Sequence, residues 1–392
     1  MARSRIFLIL IAAALVAGMV GCGPSFPPLP PSQNLKIRTW YDLDAVRGNL
    51  TGSHTLMNDL DSTTAGYTEL ASPTANQGKG WDPIGIEWVG LRGTFDGQGH
   101  EIRDLFINRP DEDLVGLFAE VDIGATVKNI GLVNATVTGK GGVGALVGLN
   151  WGTINNSYCI GNVTSDGSAG GLMGASGPGP VSNSHFTGSV TGGDNVGGLL
   201  GTNYDGSVNN CYSTGNVTGY SFVGGLIGEN LFDAVGNSYS TCRVSGHESV
   251  GGLLGTNYDG SVNNCYSTGT VTGNSSVGGL VGENTLEGTV SNSYSTGSVS
   301  GNSTAGGLVG RNTNATVSDS FWDIETSGQA GSAGGIGRTT AQMQDIDTFS
   351  GARWKIVGIA DPSQRNPSYI WNIVDGVTYP FLSWQPAQDM PS

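Results

Sequence analysis

The residues with the chemistry for catalysis are few and poorly spaced for it. The histidines are His54, His100, His185 and His247. None falls into the His-Glu-x-x-His spacing that places two imidazoles and a general base on one helical face around zinc. His247-Glu248 runs instead into Ser-Val-Gly-Gly252, part of a repeated unit. Gly139-Lys-Gly-Gly-Val-Gly144 matches the pattern of a phosphate-cradling loop, but no helix is expected after it. Asp205 and Asp259 occupy equivalent Tyr-Asp-Gly turns. Two coils of a stacked fold would separate them by roughly 10 Å, near the upper limit for the carboxylates of an inverting glycosidase. Asp-Gly is equally ordinary turn chemistry. Cys159, Cys211, Cys242 and Cys265 show no zinc-type spacing. The expectation is a non-enzyme without metal or cofactor. The alternative is a polysaccharide-degrading lyase or glycosidase.

What would position any of these residues is a repeat. A Val-Gly-Gly-Leu core or close variant begins at Val143, Ala169, Val196, Val223, Val250, Val277 and Ala305, in steps of 26, 27, 27, 27, 27 and 28 residues. A period of this size means stacked structural units that bury a shared interior. Apolar columns recur with it: Leu199 with Leu146, Leu172, Leu226, Leu253, Leu280 and Leu308; Val208 with Ile154, Val181, Val235, Val262, Val290 and Val317. The runs are short, β-branched and separated by Gly, Asn, Ser and Thr, so they predict strands. The fold class expected is all-β, a right-handed parallel β-solenoid of about eight coils, at roughly 4.8 Å per coil. Leu199 and Leu200 are both apolar in every repeat, which strict alternation cannot bury. Either the Gly pair bends the chain or one Leu column is an exposed stripe.

Two polar or aromatic columns are candidate sites. Tyr158, Tyr212, Tyr239, Tyr266, Tyr294 and Phe321, with His185 in the same column, would stack about 5 Å apart. If the Cys211 column faces inward, alternation turns these rings outward, as a self-stabilising ladder or as a platform for sugars or peptides. Asn150, Asn203, Asn230, Asn257, Asn284 and Asn312 form the second column, broken by Ser176. Asn tolerates left-handed turns and its amide can bond to copies above and below, so this column reads as a structural ladder. Cys211 and Cys265, two coils apart at roughly 10 Å, are too distant for a disulfide and read as small core fillers.

The pattern Val-Gly-Gly-Leu-x-Gly-x-Asn followed by Val-Asn-Asn-Cys-Tyr-Ser-Thr-Gly-Asn-Val-Thr-Gly219 resembles the GLUG repeat of bacterial surface proteins, over about residues 112 to 325. Such repeats occur in large exported proteins, including non-catalytic parts of some immunoglobulin A peptidases. The resemblance implies a right-handed β-solenoid and adhesion or surface display, and supplies no catalytic residue.

The ends fit that reading. Arg3 and Arg5 precede an apolar run from Ile6 to Val20, the pattern of a secretory signal. Met19-Val-Gly-Cys22 resembles a bacterial lipobox, which would make Cys22 the lipidated residue and the membrane a partner. A Pro-rich stretch to Leu35 reads as a stiff tether. The expected organisation is a signal peptide over 1–21, anchor and tether over 22–35, an N-terminal cap with first coils over 36–111, repeats over 112–337 and a C-terminal cap over 338–392. Thr39 is expected to cap a short helix with Asp42 at its third position, Thr339 another, and Asp375-Gly376 to turn a hairpin. The formal net charge is −15, with no Lys or Arg between Lys140 and Arg243 or between Arg243 and Arg311. That excludes a phosphate-backbone partner, leaving a glycan or a cell-surface protein.

Overall fold

The computed structural model describes residues 34–386 and 390–391. The expected signal peptide, the expected lipidation site Cys22 and the expected tether up to residue 33 lie outside the described residues. Strands pair in parallel with partners one repeat away, so each repeat is one coil of a parallel β-solenoid. On the first face, Phe95, Val127, Ile154, Val181 and Val208 are direct neighbours, and the column continues through Val235, Val262, Val290 and Val317. This face has 11 strands and starts with Lys36–Ile37, so the ladder already runs through the N-terminal region. A second face carries the strands Tyr158–Ser165, His185–Thr191 and Tyr212–Thr218. A third has eight strands, among them Leu200–Asn203 and Ile227–Leu231. The coils share one interior core of Val, Leu, Ile and Cys columns.

Both Leu columns are buried, Leu199 and Leu200 alike, so no Leu stripe is exposed. The reason lies in the Gly pair. The amides of Leu199 and Leu200 both donate to the carbonyl of Leu226, at 2.9 and 3.1 Å, and the pattern repeats one coil on at Leu253. Two residues facing one partner is the local geometry of a bulge, which resets the alternation. A side chain at Gly198 would meet the Gly225 carbonyl oxygen at 2.1 Å, so the bend accepts only Gly.

Each end of the stack is covered. At the N-terminal end, the helix Trp40–Asp44 has the expected capping box, with the Thr39 hydroxyl accepting from the Asp42 amide. It buries Trp40 and Leu43 into the core, Trp40 lying 5.7 Å from Trp81. At the other end, residues 324–338 cross the last coil. Ala333 donates to the Val309 carbonyl at 2.9 Å, and Ile336–Arg338 pairs with Phe321–Asp323. The chain then turns back. The helix Thr340–Met343, again with its capping box at Thr339, leads into a small sheet. There Trp371–Ile373 pairs antiparallel with Phe381–Leu382 and parallel with Ile356–Gly358, a strand the sequence reading did not contain. This C-terminal segment lies along the flank of the solenoid, over several coils.

Candidate functional site

The aromatic column forms a continuous stack. Tyr158, His185, Tyr212, Tyr239, Tyr266 and Tyr294 follow one another with ring centroids 4.5 to 5.1 Å apart and planes within 6° of parallel. The neighbouring residues Cys211 and Ser213 are buried in the solenoid, so alternation turns Tyr212 outward. The ladder is nonetheless not an open platform. From Tyr158 to Tyr294 each ring meets the next face to face. At one end Tyr158 packs on Gly131, where a side chain would meet its Cζ at 2.4 Å. At the other, the Arg338 guanidinium lies 5.7 Å over Phe321. Only ring edges point outward, and from Tyr239 onward the C-terminal segment buries these too.

That cover is specific. Trp384 sits against Tyr212 and Tyr239 at 6.3 and 5.9 Å, Trp371 against Tyr266 and Tyr294 at 6.1 and 5.8 Å, and Trp354 against Phe321 at 6.0 Å. Their indole N–H groups donate to Asn237 O, Asn264 Oδ1 and Asp319 O respectively. The Tyr266 and Tyr294 hydroxyls donate to Gln385 Oε1 and the Pro380 carbonyl. Tyr239, Tyr266, Tyr294 and Phe321, candidates for either a self-stabilising ladder or a binding platform, are core residues of the segment's own apolar cluster. Tyr158 and Tyr212 stay half-buried. Burial, followed by the hydrogen bond to Glu101, raises the Tyr158 phenol to about 12. Burial lowers His185 to about 4, so it is a neutral member of the stack at physiological pH.

The Asn column is a hydrogen-bonded ladder. Asn203 Nδ2 donates to Asn230 Oδ1, Asn230 to Asn257, Asn257 to Asn284 and Asn284 to Asn312, at 2.8 to 2.9 Å. Each amide also donates to a carbonyl of the turn beside it: Gly206, Asp233, Gly260, Gly288 and Ala315. Asn150 Nδ2 donates to Ser176 Oγ at 3.0 Å and to the Gly152 carbonyl. The left-handed backbone expected here belongs to another column. Asn156, Asn183, Asn210, Asn237, Asn264 and Asn292 have φ between 46° and 55°. Two Asn columns thus run through the repeats, one interrupted at Ser176 and the other ending at Asp319. The buried one needs its side chain for the ladder, and the other needs Asn because a left-handed corner disfavours most side chains.

The remaining candidates are not brought together. His54 is buried with its Nε2 at 2.8 Å from Asn49 O, His100 lies 3.1 Å from Asp59, and His247 stacks on Tyr220 at 4.9 Å. Gly139 to Gly144 lie inside the strand Gly131–Gly144. Asp205 and Asp259 are exposed in turns of coils two apart. A shallow groove lined by Ser62, Tyr67, Asn134 and Thr136 holds one carboxylate, Asp104, which accepts from Asn134. Among the described residues no cluster of His, Cys, Asp or Glu could hold a metal ion. No helix among them is long and apolar enough to cross a membrane. The four described cysteines are free and buried, and burial pushes the Cys211 and Cys265 thiols up to about 12.

One feature of the surface escaped the sequence reading. The turns that follow the Asn ladder carry exposed rings, Tyr204 (41 % exposed) and Phe232 (47 %), beside half-buried Trp151 and Tyr258. The signal was present as an aromatic one or two places after four of the six ladder Asn residues, Asn150, Asn203, Asn230 and Asn257. It was obscured by Gly177 and Leu286, which break the column.

Comparison with known proteins matches these coils to a described repeat. The model of the GLUG motif matches residues 192–218, 246–272 and 273–300, so the chain contains GLUG repeats. Halomucin of Haloquadratum walsbyi is 34 % identical over 152 residues, covering 37 % of this chain and 2 % of that protein. A protein described as a Gly-rich membrane protein of Evansella cellulosilytica is 38 % identical over 125 residues, covering 31 % of this chain and 14 % of that one. The matches thus span a small part of each relative. Among solved structures, the chain is similar to an immunoglobulin A1 protease of Bacteroides ovatus, at 18 % identity and a TM-score of 0.48, over 91 % of this chain and 93 % of that one. It is also similar to an IgA1 protease at 16 % identity and a TM-score of 0.38, over 73 % and 19 %.

Proposed function

We propose that the protein is an exported, surface-displayed β-solenoid lipoprotein with an adhesin-like, non-catalytic role, anchored through Cys22. The observation that carries this reading is the solenoid itself. Its interior is filled by apolar columns, its polar columns bond to one another, and its candidate catalytic residues lie apart. What remains for function is the long, repetitive outer surface. The names of the two sequence relatives, a mucin-like one and a membrane protein, support an envelope setting. Acyl chains on Cys22 would hold the chain at a bilayer through buried CH₂ groups, at about 0.8 kcal/mol each.

The test is adherence. Bacteria producing the full chain are compared with bacteria lacking it, on surfaces coated with host-type glycans or matrix proteins. Chain-dependent attachment is expected, and the purified chain should leave a panel of neutral and acidic polysaccharides intact. Release of new chain ends from any of them would establish the polysaccharide-degrading alternative instead.

A further inference from the structure

The corner beyond the Asn ladder carries exposed rings and acidic side chains on the same turns. Its rings are Trp151 and, after the gap at Gly177, Tyr204, Phe232 and Tyr258 on three successive coils, Leu231 being the direct strand partner of Tyr258. Phe232 meets Tyr258 edge-to-face at 5.9 Å and Trp151 packs on Gly177, while Tyr204 and Phe232 stay exposed, unlike the rings of the stacked ladder. The four turns after Asn203, Asn230, Asn257 and Asn284 each bear an acid: Asp205, Asp233, Asp259 and Glu287. Among the described residues none of these four is ion-paired, whereas Asp122, in an earlier turn, is held by Arg92 at 2.7 Å. The turns are rigid, because the buried amides of Asn203, Asn230, Asn257 and Asn284 tie down their carbonyls. Rings and carboxylates are therefore presented on successive coils, whose backbones rise about 4.8 Å each.

We propose that this corner is a docking surface for an extended, arginine- or lysine-rich segment of a partner polypeptide. The proposal rests on the display reading above and names the surface and the partner chemistry. Charge complementarity selects the occupant. Between Lys140 and Arg311 the chain has one cation, Arg243, and it lies on the second face, paired in the strand ladder with Asn216. A guanidinium or ammonium over the face of an exposed ring gains from the ring quadrupole. The adjacent carboxylate gives the same cation a second partner, and the guanidinium's planar fork suits both. An extended segment advances about 3.3 Å per residue and can place successive cations along the row.

The test uses the full chain in non-ionic detergent and a labelled peptide of alternating Arg and Ser, with an alternating Glu and Ser peptide and a neutral hexasaccharide as comparisons. Saturable binding of the Arg peptide is expected, weakening as salt rises. The variant Tyr204→Ala/Phe232→Ala/Tyr258→Ala should lose at least tenfold in affinity, and so should Asp205→Asn/Asp233→Asn/Asp259→Asn/Glu287→Gln. These sites are at the surface, and an unchanged circular dichroism spectrum verifies the fold. A control removes equal charge elsewhere, Glu69→Gln/Asp166→Asn/Asp194→Asn/Glu248→Gln, and should keep most of the affinity. An equal loss in that control, an unaffected ring variant, or binding of the hexasaccharide in place of the Arg peptide would overturn the proposal. Adherence read in the same variants separates the two claims. Attachment that survives loss of peptide binding sinks this inference alone, and no attachment by the wild type sinks the display reading.

Discussion

Ser176 interrupts the Asn ladder, and restoring the missing amide should stabilise the protein. Ser176 pairs directly with Asn150 and with Asn203 in the third face, so it holds the ladder position in its coil. Its hydroxyl accepts from Asn150 Nδ2, but Asn203 Oδ1 above it is buried with no hydrogen-bond donor. A buried acceptor left unmet costs about 1–3 kcal/mol, and a typical hydrogen bond contributes about 1 kcal/mol net. Ser176→Asn supplies an amide with the same backbone register as its neighbours, able to donate to Asn203 Oδ1 and to the turn that follows. Ordering the added side chain offsets part of that gain, leaving an expected stabilisation of about 1–2 kcal/mol. The assay is urea denaturation, run on the wild type, Ser176→Asn, Asn203→Ala and the double variant. Hydrogen exchange at the 203–206 turn reports the local effect, since a solenoid can open by sections. The gain should vanish in the Asn203→Ala background, because the acceptor is gone. A neutral or destabilising Ser176→Asn with the fold retained, or an equal gain in both backgrounds, would refute the ladder reasoning.

Other substitutions probe separate parts of the structure. Cys211→Ser should change stability by less than about 1 kcal/mol, because Ser184 and Ser238 hold the same position one coil away and donate to carbonyls that correspond to Asn209 O; denaturation with and without reductant checks this. Trp371→Ala should cost about 3–5 kcal/mol locally, since the buried indole spans Tyr266 and Tyr294, and limited proteolysis should then cut within 339–386 while the repeats stay intact. Glu120 is buried, and desolvation raises its carboxyl from 4.5 to about 7, against the Trp88 amide that donates to it. Below pH 4.5 folded and unfolded chains both hold the proton; from there to about pH 7 the unfolded chain ionises first, so stability falls by up to about 1.4 kcal/mol per unit and then levels. Glu120→Gln should therefore gain on the wild type between pH 5 and 8 in paired denaturation curves, and a difference that ignores pH would contradict it.

Much of the fold was legible because a 27-residue period fixes the register. Once Val208 is set beside Val235, every other column follows. The capping boxes at Thr39 and Thr339 and the hairpin around Asp375-Gly376 were legible because their signals are local. The burial of both Leu columns was not, since it depends on two amides converging on one carbonyl, a geometry that the Gly pair permits without dictating. The fate of the Tyr column was least readable. Its outward direction follows from alternation, but its cover comes from Trp354, Trp371 and Trp384, far along the chain. No periodic pattern links those indoles to Tyr212, Tyr239, Tyr266 and Tyr294. The two Asn columns look alike in sequence, and only backbone φ separates the left-handed corner at Asn210 from the bonded ladder at Asn203.

The central claim, that the solenoid works on the outside of the cell and is held there by Cys22, is tested by labelling intact bacteria with a membrane-impermeant amine reagent. Cells producing the full chain and cells producing Cys22→Ser are compared, with labelled protein measured in cells and medium. The wild-type chain should be labelled and remain with the cells, and the variant should lose that retention. A wild-type chain that is labelled only after the cells are broken, or a variant retained as fully as the wild type, would contradict it.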